Sequence, residues 1–551
     1  MPSPEPINLK TCEDRSPAQC FVSEGQRAIT GDGGASEKKE LQITLGGETR
    51  LNLKRKPRIL IVTPEITSLP AGLEGPTTRI RAKGGGLADV AALLVEALTE
   101  RGADVHVALP HYRRLFGVEP SAFRNDDWRD YKRKPTHANL HLAEDRSFYY
   151  RDRVYSHQSQ DNPEVALAFQ REVINNIIPR VEPDLIHCHD WMTGIIPAAA
   201  RRLNIPCVFT IHNIHTERQS LARMEQAGID AAEFWQSLYL ERFPGNYEES
   251  REHNPVNFLA SGIIASRFVN TVSPSFLDEM IDGRHGGLSD TVRDHLAHLR
   301  ATGNAAGILN APHPSYDPAF DPALEQRYDP ESAVNGKAAN KSAFQKRTGL
   351  APDPGAPLFF WPSRLDPMQK GCQLLSDILY QIVTDYAAIG LQVALVADGA
   401  FQSHFQNIVD LHGIHDRVTV CAFDEDLSRL CYAASDFTLV PSFFEPCGLV
   451  QMIAALYGSL PVVHRTGGLR DTVAPLNADE GTGNGFVFEM ADSGGLRWAI
   501  DQAMRFYRND LGWRAGQVAR IMQESKRRFD PKAAVESYLG IYERLAGCPV
   551  A

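Results

Sequence analysis

Nowhere does this chain run apolar for the roughly 18 to 20 residues that a membrane-spanning helix requires, so no segment is a candidate for one. Its nine cysteines form no Cys-x-x-Cys pair and no His-Cys cluster, which leaves no candidate for a structural metal site. Cys188, Cys207, Cys421 and Cys447 lie in or beside apolar strand-like runs, the usage expected of reduced thiols in a cytoplasmic protein. A basic excess is missing too: the formal charge is −11, which argues against nucleic acid or an anionic membrane as the main partner. The start of the chain has no apolar segment of secretory type, and Glu5, Glu13 and Asp14 argue against a transit peptide. No Gly-x-Gly-x-x-Gly follows the first strand-like run, which argues against a dinucleotide-dependent oxidoreductase.

What is present reads as a large α/β protein. At 551 residues, 43% hydrophobic and 23% charged, two to three globular domains of roughly 150 to 250 residues are expected. Residues 1–56, rich in Gly, Ser, Glu and Lys without an apolar period, read as a flexible extension that cannot bury enough surface to offset its ordering entropy. Structure is then expected to begin abruptly. Arg58 to Thr63 is an apolar strand, Leu87, Val90, Leu94 and Leu98 recur at helical spacing until Gly102, and Val105 to Pro110 is the next strand. That is a βαβ unit of Rossmann type.

Before the helix stands Lys83-Gly84-Gly85-Gly86-Leu87-Ala88-Asp89. Glycine amides at a helix start suit a diphosphate, with Lys83 meeting substrate charge, although a purely structural turn has the same composition. Asp184 to His189 is a further strand, after which Asp190 is suited to cap or favour the following helix. His189 therefore falls at a strand's carboxyl end, pointing to a cleft. Val208 to Asn213 and Phe268 to Thr271 continue the series, with Ser273-Pro274 opening a helix.

A second α/β series comes after the Pro-rich passage from Pro312 to Pro330, with strands expected from Leu358, Leu391, Val418, Phe437 and Leu460. Its densest stretch is Pro441-Ser442-Phe443-Phe444-Glu445-Pro446-Cys447-Gly448, then Thr466-Gly467-Gly468-Leu469-Arg470-Asp471. These are two successive strand-to-helix turns. Thr466, Gly467 and Gly468 fit a phosphate cradle, whereas Glu445 repels phosphate and suits sugar hydroxyls. Arg364 and Lys370, after the first strand of this half, are a planar fork and a point charge at a strand end, although paired basic residues are more often solvated surface. Phe423, read by itself, is a core residue.

These stretches closely resemble the signatures of the bacterial glycogen synthase and plant starch synthase family, over roughly Arg58 to Leu545. The resemblance rests on Lys-x-Gly-Gly-Leu-x-Asp at Lys83, His-x-His-Asp-Trp at His187, Thr-Val-Ser-Pro at Thr271, Ser-Arg-Leu at Ser363, Gln-Lys-Gly at Gln369, and both turns of the second half. It implies a GT-B fold: two Rossmann-like domains, 57–311 and 312–528, facing each other across a deep interdomain cleft, with 529–551 as a helix returning to the first domain. It also implies His189, Glu445, Arg364 and Lys370 as catalytic residues. Lys83, Gly85, Gly86, Asp89, Asn310, Phe423, Cys447, Gly448, Thr466, Gly467 and Gly468 are implied on the donor. The activity implied is retaining, metal-independent transfer of glucose from ADP-glucose to an α-1,4-glucan, with no cofactor.

Three segments depart from the family pattern. An insertion runs from Pro70 to Thr78, Ile214 to Gln219 replaces an aromatic followed by Gln-Gly, and Ala311-Pro312-His313 replaces Gly-x-Asp. Those departures keep two rivals open: a GT-B transferase with another donor or a small acceptor, and a non-catalytic glucan-binding homologue.

Overall fold

The computed structural model describes residues 55–70, 81–116, 138–155 and 161–551. The extension before Arg55 and most of the insertion after Pro70 lie outside the described residues. Arg55 and Lys56, read from sequence as the end of the extension, are tied to the body. Arg55 pairs with Asp184 at 2.8 Å and Lys56 donates to the Gly102 carbonyl at 2.9 Å.

Continuous apolar runs make strands buried on both faces, and here they build two parallel sheets. The first contains β1 (Arg58–Val62), β2 (Asp104–Pro110), β3 (Leu140–Ala143), β4 (Leu185–His189) and β5 (Cys207–Ile211). A small antiparallel pair comes next, β6 (Arg218–Gln219) with β7 (Val256–Asn257), and then β8 (Phe268–Thr271) and β9 (Ala305–Gly307) complete the sheet. Its spatial order is β3-β2-β1-β4-β5-β8-β9. The second sheet uses β10 (Leu358–Trp361), β11 (Gln392–Val396), β12 (Val418–Cys421), β13 (Phe437–Val440), β14 (Leu460–His464) and β15 (Phe486–Phe488), in the order β12-β11-β10-β13-β14-β15.

Both orders reverse direction beside the first strand, between β1 and β4 and between β10 and β13. Such reversals open a crevice at the carboxyl ends of the strands, because the connections on either side leave in opposite directions. Four helices bear on the residues at these reversals: α1 (Gly86–Glu100), α2 (Pro274–Ile281), α3 (Gly467–Thr472) and α4 (Pro531–Ala546). Leu87, Val90, Leu94 and Leu98 of α1 are all buried, as their spacing predicts. Among the described residues no helix is long and apolar enough to cross a membrane.

Helix α4 crosses onto the first sheet and is locked by a buried polar chain. Tyr542 meets His187 Nδ1 at 2.6 Å, His187 Nε2 meets Thr210 Oγ1 at 2.6 Å, and Thr210 donates to Asn270 Oδ1 at 2.7 Å. Asn270 Nδ2 then donates to the Tyr538 hydroxyl at 3.0 Å. Because Thr210 spends its proton on Asn270, it accepts from His187, which fixes the proton on Nε2 and leaves Nδ1 to accept from Tyr542. Burial holds His187 well below its usual pKa, in the neutral form this arrangement requires. Tyr542→Phe strands Nδ1 in a dry site, so we expect a loss of about 1–3 kcal/mol, read as a lower denaturant midpoint at unchanged slope.

Candidate active site

The loop leaving β1 is pinched at its base, where Ile66 and Ala82 exchange two backbone hydrogen bonds of 2.9 Å. Beyond that neck the chain enters Lys83-Gly84-Gly85 and α1. The amides of Gly84 and Gly85 both donate to Glu65, the latter at 2.9 Å. Sequence alone assigns these amides to a diphosphate; in the structure a protein carboxylate holds them. Lys83 is engaged as well, at 2.9 Å from Asp89, whose other oxygen accepts from Thr67 at 2.6 Å. Gly86 stands opposite Leu449 of the second half, since a Cβ there would lie 3.6 Å from Leu449 Cδ1.

Glu65 is buried, and Tyr155 donates to its second oxygen at 3.2 Å. Burial pushes its carboxyl up to about 7, against the pull of the two glycine amides. Asp190, after β4, is pushed up to about 8 by the same cause, with the Glu65 charge adding to it. It also adopts φ 64°, a left-handed value that is strained for a residue with a Cβ. Backbone N–H groups of Trp191, Asn213 and His212 approach its carboxylate, while Oδ1 finds no partner among the described residues.

His189, expected to point into a cleft, is fully buried, with Nδ1 3.0 Å from His212 Nε2 and its own Nε2 unpartnered among the described residues. Burial pulls it down to about 3, so its ring is neutral. Sequence reasoning missed Glu65 and the titrating character of Asp190. A strand end followed by Thr63-Pro64-Glu65 was the available signal, but burial of a carboxylate beneath a loop 20 residues away leaves no local pattern.

In the second half Lys370 and Glu445, assigned separately to phosphate and to sugar, meet each other. Nζ lies 2.6 Å from Oε2, each side chain is 11% exposed, and Ser442 donates to the same oxygen at 2.9 Å. Arg364 is exposed, and its guanidinium bonds to no described residue. Phe423 is 55% exposed, which removes the core alternative; its amide is fixed by Asp398 at 2.9 Å. Cys447 is buried, and burial pushes its thiol up to about 12 although the Asn310 amide reaches it. Asn310 Oδ1 is a further buried atom without a described partner.

The second expected cradle is also occupied. Gly467 donates to Glu279 Oε1 at 2.8 Å and Gly468 to the Glu445 carbonyl at 2.9 Å. Gly467 has φ 42°, and a Cβ on either glycine would overlap the backbone of Glu445 or Cys447. Close packing onto the Glu445 segment is what these glycines visibly provide.

Comparison with known proteins identifies the family. The starch synthase catalytic domain matches residues 58–294, and the group 1 glycosyl transferase domain matches 356–505. Glycogen synthase from Exiguobacterium sibiricum is 35% identical over 494 residues, covering 84% of this chain and 96% of that protein. Glycogen synthase from Bacillus subtilis is 32% identical over 79% of this chain and 90% of its own. The chain belongs to the glycogen and starch synthase family. The catalytic domain of starch synthase IV from Arabidopsis thaliana, solved with ADP and acarbose, superposes with a TM-score of 0.70 at 26% identity. That match covers 90% of this chain and 100% of that one.

As a member of this family the protein is a glycosyltransferase of GT-B fold, and its departures have definite locations. His313, where the family pattern has an acid, sits 2.9 Å from Ser315 Oγ and 4.0 Å from Glu96 on α1. His215 packs edge-on to Trp191, with ring centroids 5.2 Å apart, and lies 3.5 Å from Glu217.

The buried acids make a sign-specific prediction. An acid raised by folding contributes stability that is complete below its usual value of 4.5 and is lost as pH rises through about 7. Glu65→Gln keeps an acceptor for the glycine amides and removes the titration. Its melting temperature relative to the parent protein should therefore climb from about pH 5 to about pH 8, measured by calorimetry; a constant difference would contradict the assignment.

Proposed function

We propose that this glycosyltransferase extends an α-1,4-glucan, transferring glucose from ADP-glucose with retention at the anomeric carbon. The observation that carries the reading is the buried Lys370–Glu445 pair at the β10/β13 reversal, in a chain whose other reversal presents the glycine loop and His189. A departing nucleoside diphosphate needs positive charge delivered without reorganisation, which is commonly the largest catalytic contribution. The free Arg364 fork supplies it first. Lys370 supplies it once Glu445 turns from the ammonium to the glucosyl hydroxyls. The exposed Phe423 ring gives the nucleobase a face on which to stack.

His189 then contributes a neutral Nε2 to the glucosyl group, and Asp190 a largely protonated carboxyl that can donate to a sugar oxygen. The acceptor hydroxyl attacks from the leaving-group side. In this reading Arg364 and Lys370 do the charge neutralisation for which other transferases use a divalent ion, and no cofactor is needed. The seven cysteines among the described residues are all free, in keeping with a cytoplasmic protein. The altered segments at His215 and His313 bear on the acceptor, so a small acceptor is the reading to test against a glucan.

Parallel assays of glucose transfer to glycogen from ADP-glucose and UDP-glucose are expected to favour the ADP donor, with activity retained in excess chelator. Glu445→Gln should lower transfer on the order of a hundredfold or more while calorimetric ADP binding persists and tightens, because Lys370 no longer has the carboxylate to release. Arg364→Ala should weaken ADP binding and turnover together, since a charge-assisted contact is lost. Binding of ADP or glucan without any transfer by the parent protein would replace the enzyme with a binding homologue.

A further inference from the structure

Helix α3 is short, and its amino end lies beside the Glu445 segment, yet it is not capped from within. Thr466 stands at the capping position but its side chain accepts no hydrogen bond from the helix. Unsatisfied N–H groups and the dipole at such an end call for an acceptor, preferably an anion. Glu279, on α2 in the first half of the molecule, provides it. Its Oε1 accepts from the Gly467 amide at 2.8 Å and lies 3.5 Å from the Thr466 hydroxyl.

The other oxygen of Glu279 lies 3.0 Å from His285 Nε2. Glu279 is 3% exposed, so this carboxylate is held away from water by partners on both oxygens, the condition under which a buried acid is tolerated. His285 in turn packs between Phe276 of the first half and Phe444 of the second, at ring-centroid distances of 5.4 and 5.9 Å. Phe444 immediately precedes Glu445.

The contact is passed on without slack. Gly468 donates to the Glu445 carbonyl at 2.9 Å, and α3 packs so closely on residues 445–447 that neither glycine has room for a Cβ. Two further contacts run in parallel. Ser273 donates to the Pro446 carbonyl at 2.6 Å, and Ser275 binds Asp471, near the far end of α3, through its amide at 2.8 Å and its hydroxyl at 2.6 Å. A tightly packed helix moves as a unit, so a shift at its amino end is a shift of Glu445.

We propose that Glu279, supported by His285, is a positioning residue for Glu445, capping α3 from the opposite half and so fixing where the glutamate sits. This rests on Glu445 as the residue that holds the transferred glucosyl group. Glu279 acts through α3 and not on the substrate. Its effect is on the rate of transfer and not on the affinity for the nucleotide, because Arg364 and Phe423 stand apart from α3 on the loops after β10 and β12.

The test compares Glu279→Ala, Glu279→Gln, Glu279→Asp and Ser275→Ala in the full-length protein. Glucose transfer, ADP titration and hydrogen exchange of residues 441–451 are measured for each. Glu279→Ala should lower kcat by on the order of ten- to a hundredfold, the scale of a misplacement transmitted from outside the chemistry. ADP affinity should be unchanged, and exchange in 441–451 should be faster. Glu279→Gln retains an acceptor for the Gly467 amide and should recover most of the loss. Glu279→Asp, which keeps the charge but shortens the reach, should fall between them, and it serves in place of the alanine variant if that one does not fold.

Unchanged kcat and exchange in Glu279→Ala would overturn the proposal, as would a Gln variant no better than Ala. An equal loss in Ser275→Ala would also overturn it, by showing general loosening of the contact between the halves. If the parent protein transfers no glucose, the functional reading fails by itself, and hydrogen exchange in 441–451 still decides the positioning role.

Discussion

A lysine and a glutamate, each mostly removed from water, meet at 2.6 Å between the carboxyl ends of β10 and β13, and the proposed working of the site depends on that pair. Desolvating two charges costs several kcal/mol per ion, of the same order as their attraction, so such a pair is poor evidence of stability. Breaking it by removing one partner is expensive, because the other charge is then left buried. The arrangement makes sense where a third party takes over one of the partners. In the proposed reading Lys370 and Glu445 neutralise each other until an anion reaches the lysine and a hydroxylated ring reaches the carboxylate.

The same economy recurs around the reversal points of both sheets. Glu65 holds the amides of Gly84 and Gly85, Glu279 holds that of Gly467, and Asp89 holds Lys83. Each positive or amide-rich feature that suits a phosphate is matched by one of the protein's own carboxylates, in a chain of formal charge −11. Arg364 stands out as a cation bonded to no described residue. In the proposed reading a diphosphate meets Arg364 first, and the carboxylates it has to displace are Glu445 on Lys370 and Glu65 on the first glycine turn, while Glu279 stays on Gly467. Glu65 is suited to that exchange, because burial already brings its pKa to about 7 and so lowers the cost of giving up its charge near neutrality.

Much of this architecture was legible from the chain. Runs such as Ile59–Val62 and Phe437–Val440 read as buried strands because parallel strands covered on both faces are continuously apolar. The residues of interest could be set at strand ends because the motifs come directly after those runs. What escaped were β3, β9 and β15, of three or four residues each, too short to carry a period and defined by the neighbours they pair with. Partnerships escaped too. Lys370 and Glu445 are 75 residues apart and Gly467 and Glu279 are 188 apart, so each residue type was identified while the acceptor it had already found was not. Phe423 shows the opposite case: core burial and the donor role implied by the resemblance stood side by side, and an exposure of 55% removes the first.

The departures from the family pattern adjoin this centre, and Ala311 follows Asn310 directly. The pinched neck at Ile66 and Ala82 separates the inserted loop from the glycine turn, so added length there need not move Glu65 or Gly85; two backbone bonds fix the base whatever emerges beyond it. His313 stands where an acid is expected, and the carboxylate near it is that of Glu96 on α1, 4.0 Å from its ring. His215 occupies the surface of Trp191. Substitutions of this kind alter which groups line the approach while leaving β1, β4, β10 and β13 to hold the reacting set. The centre tolerates little, because its charges are buried and mutually compensated; of the described departures, His215 is exposed and its replacement bears on recognition more than on folding, whereas Ala311 and Pro312 are buried beside Asn310 and bear on packing as well.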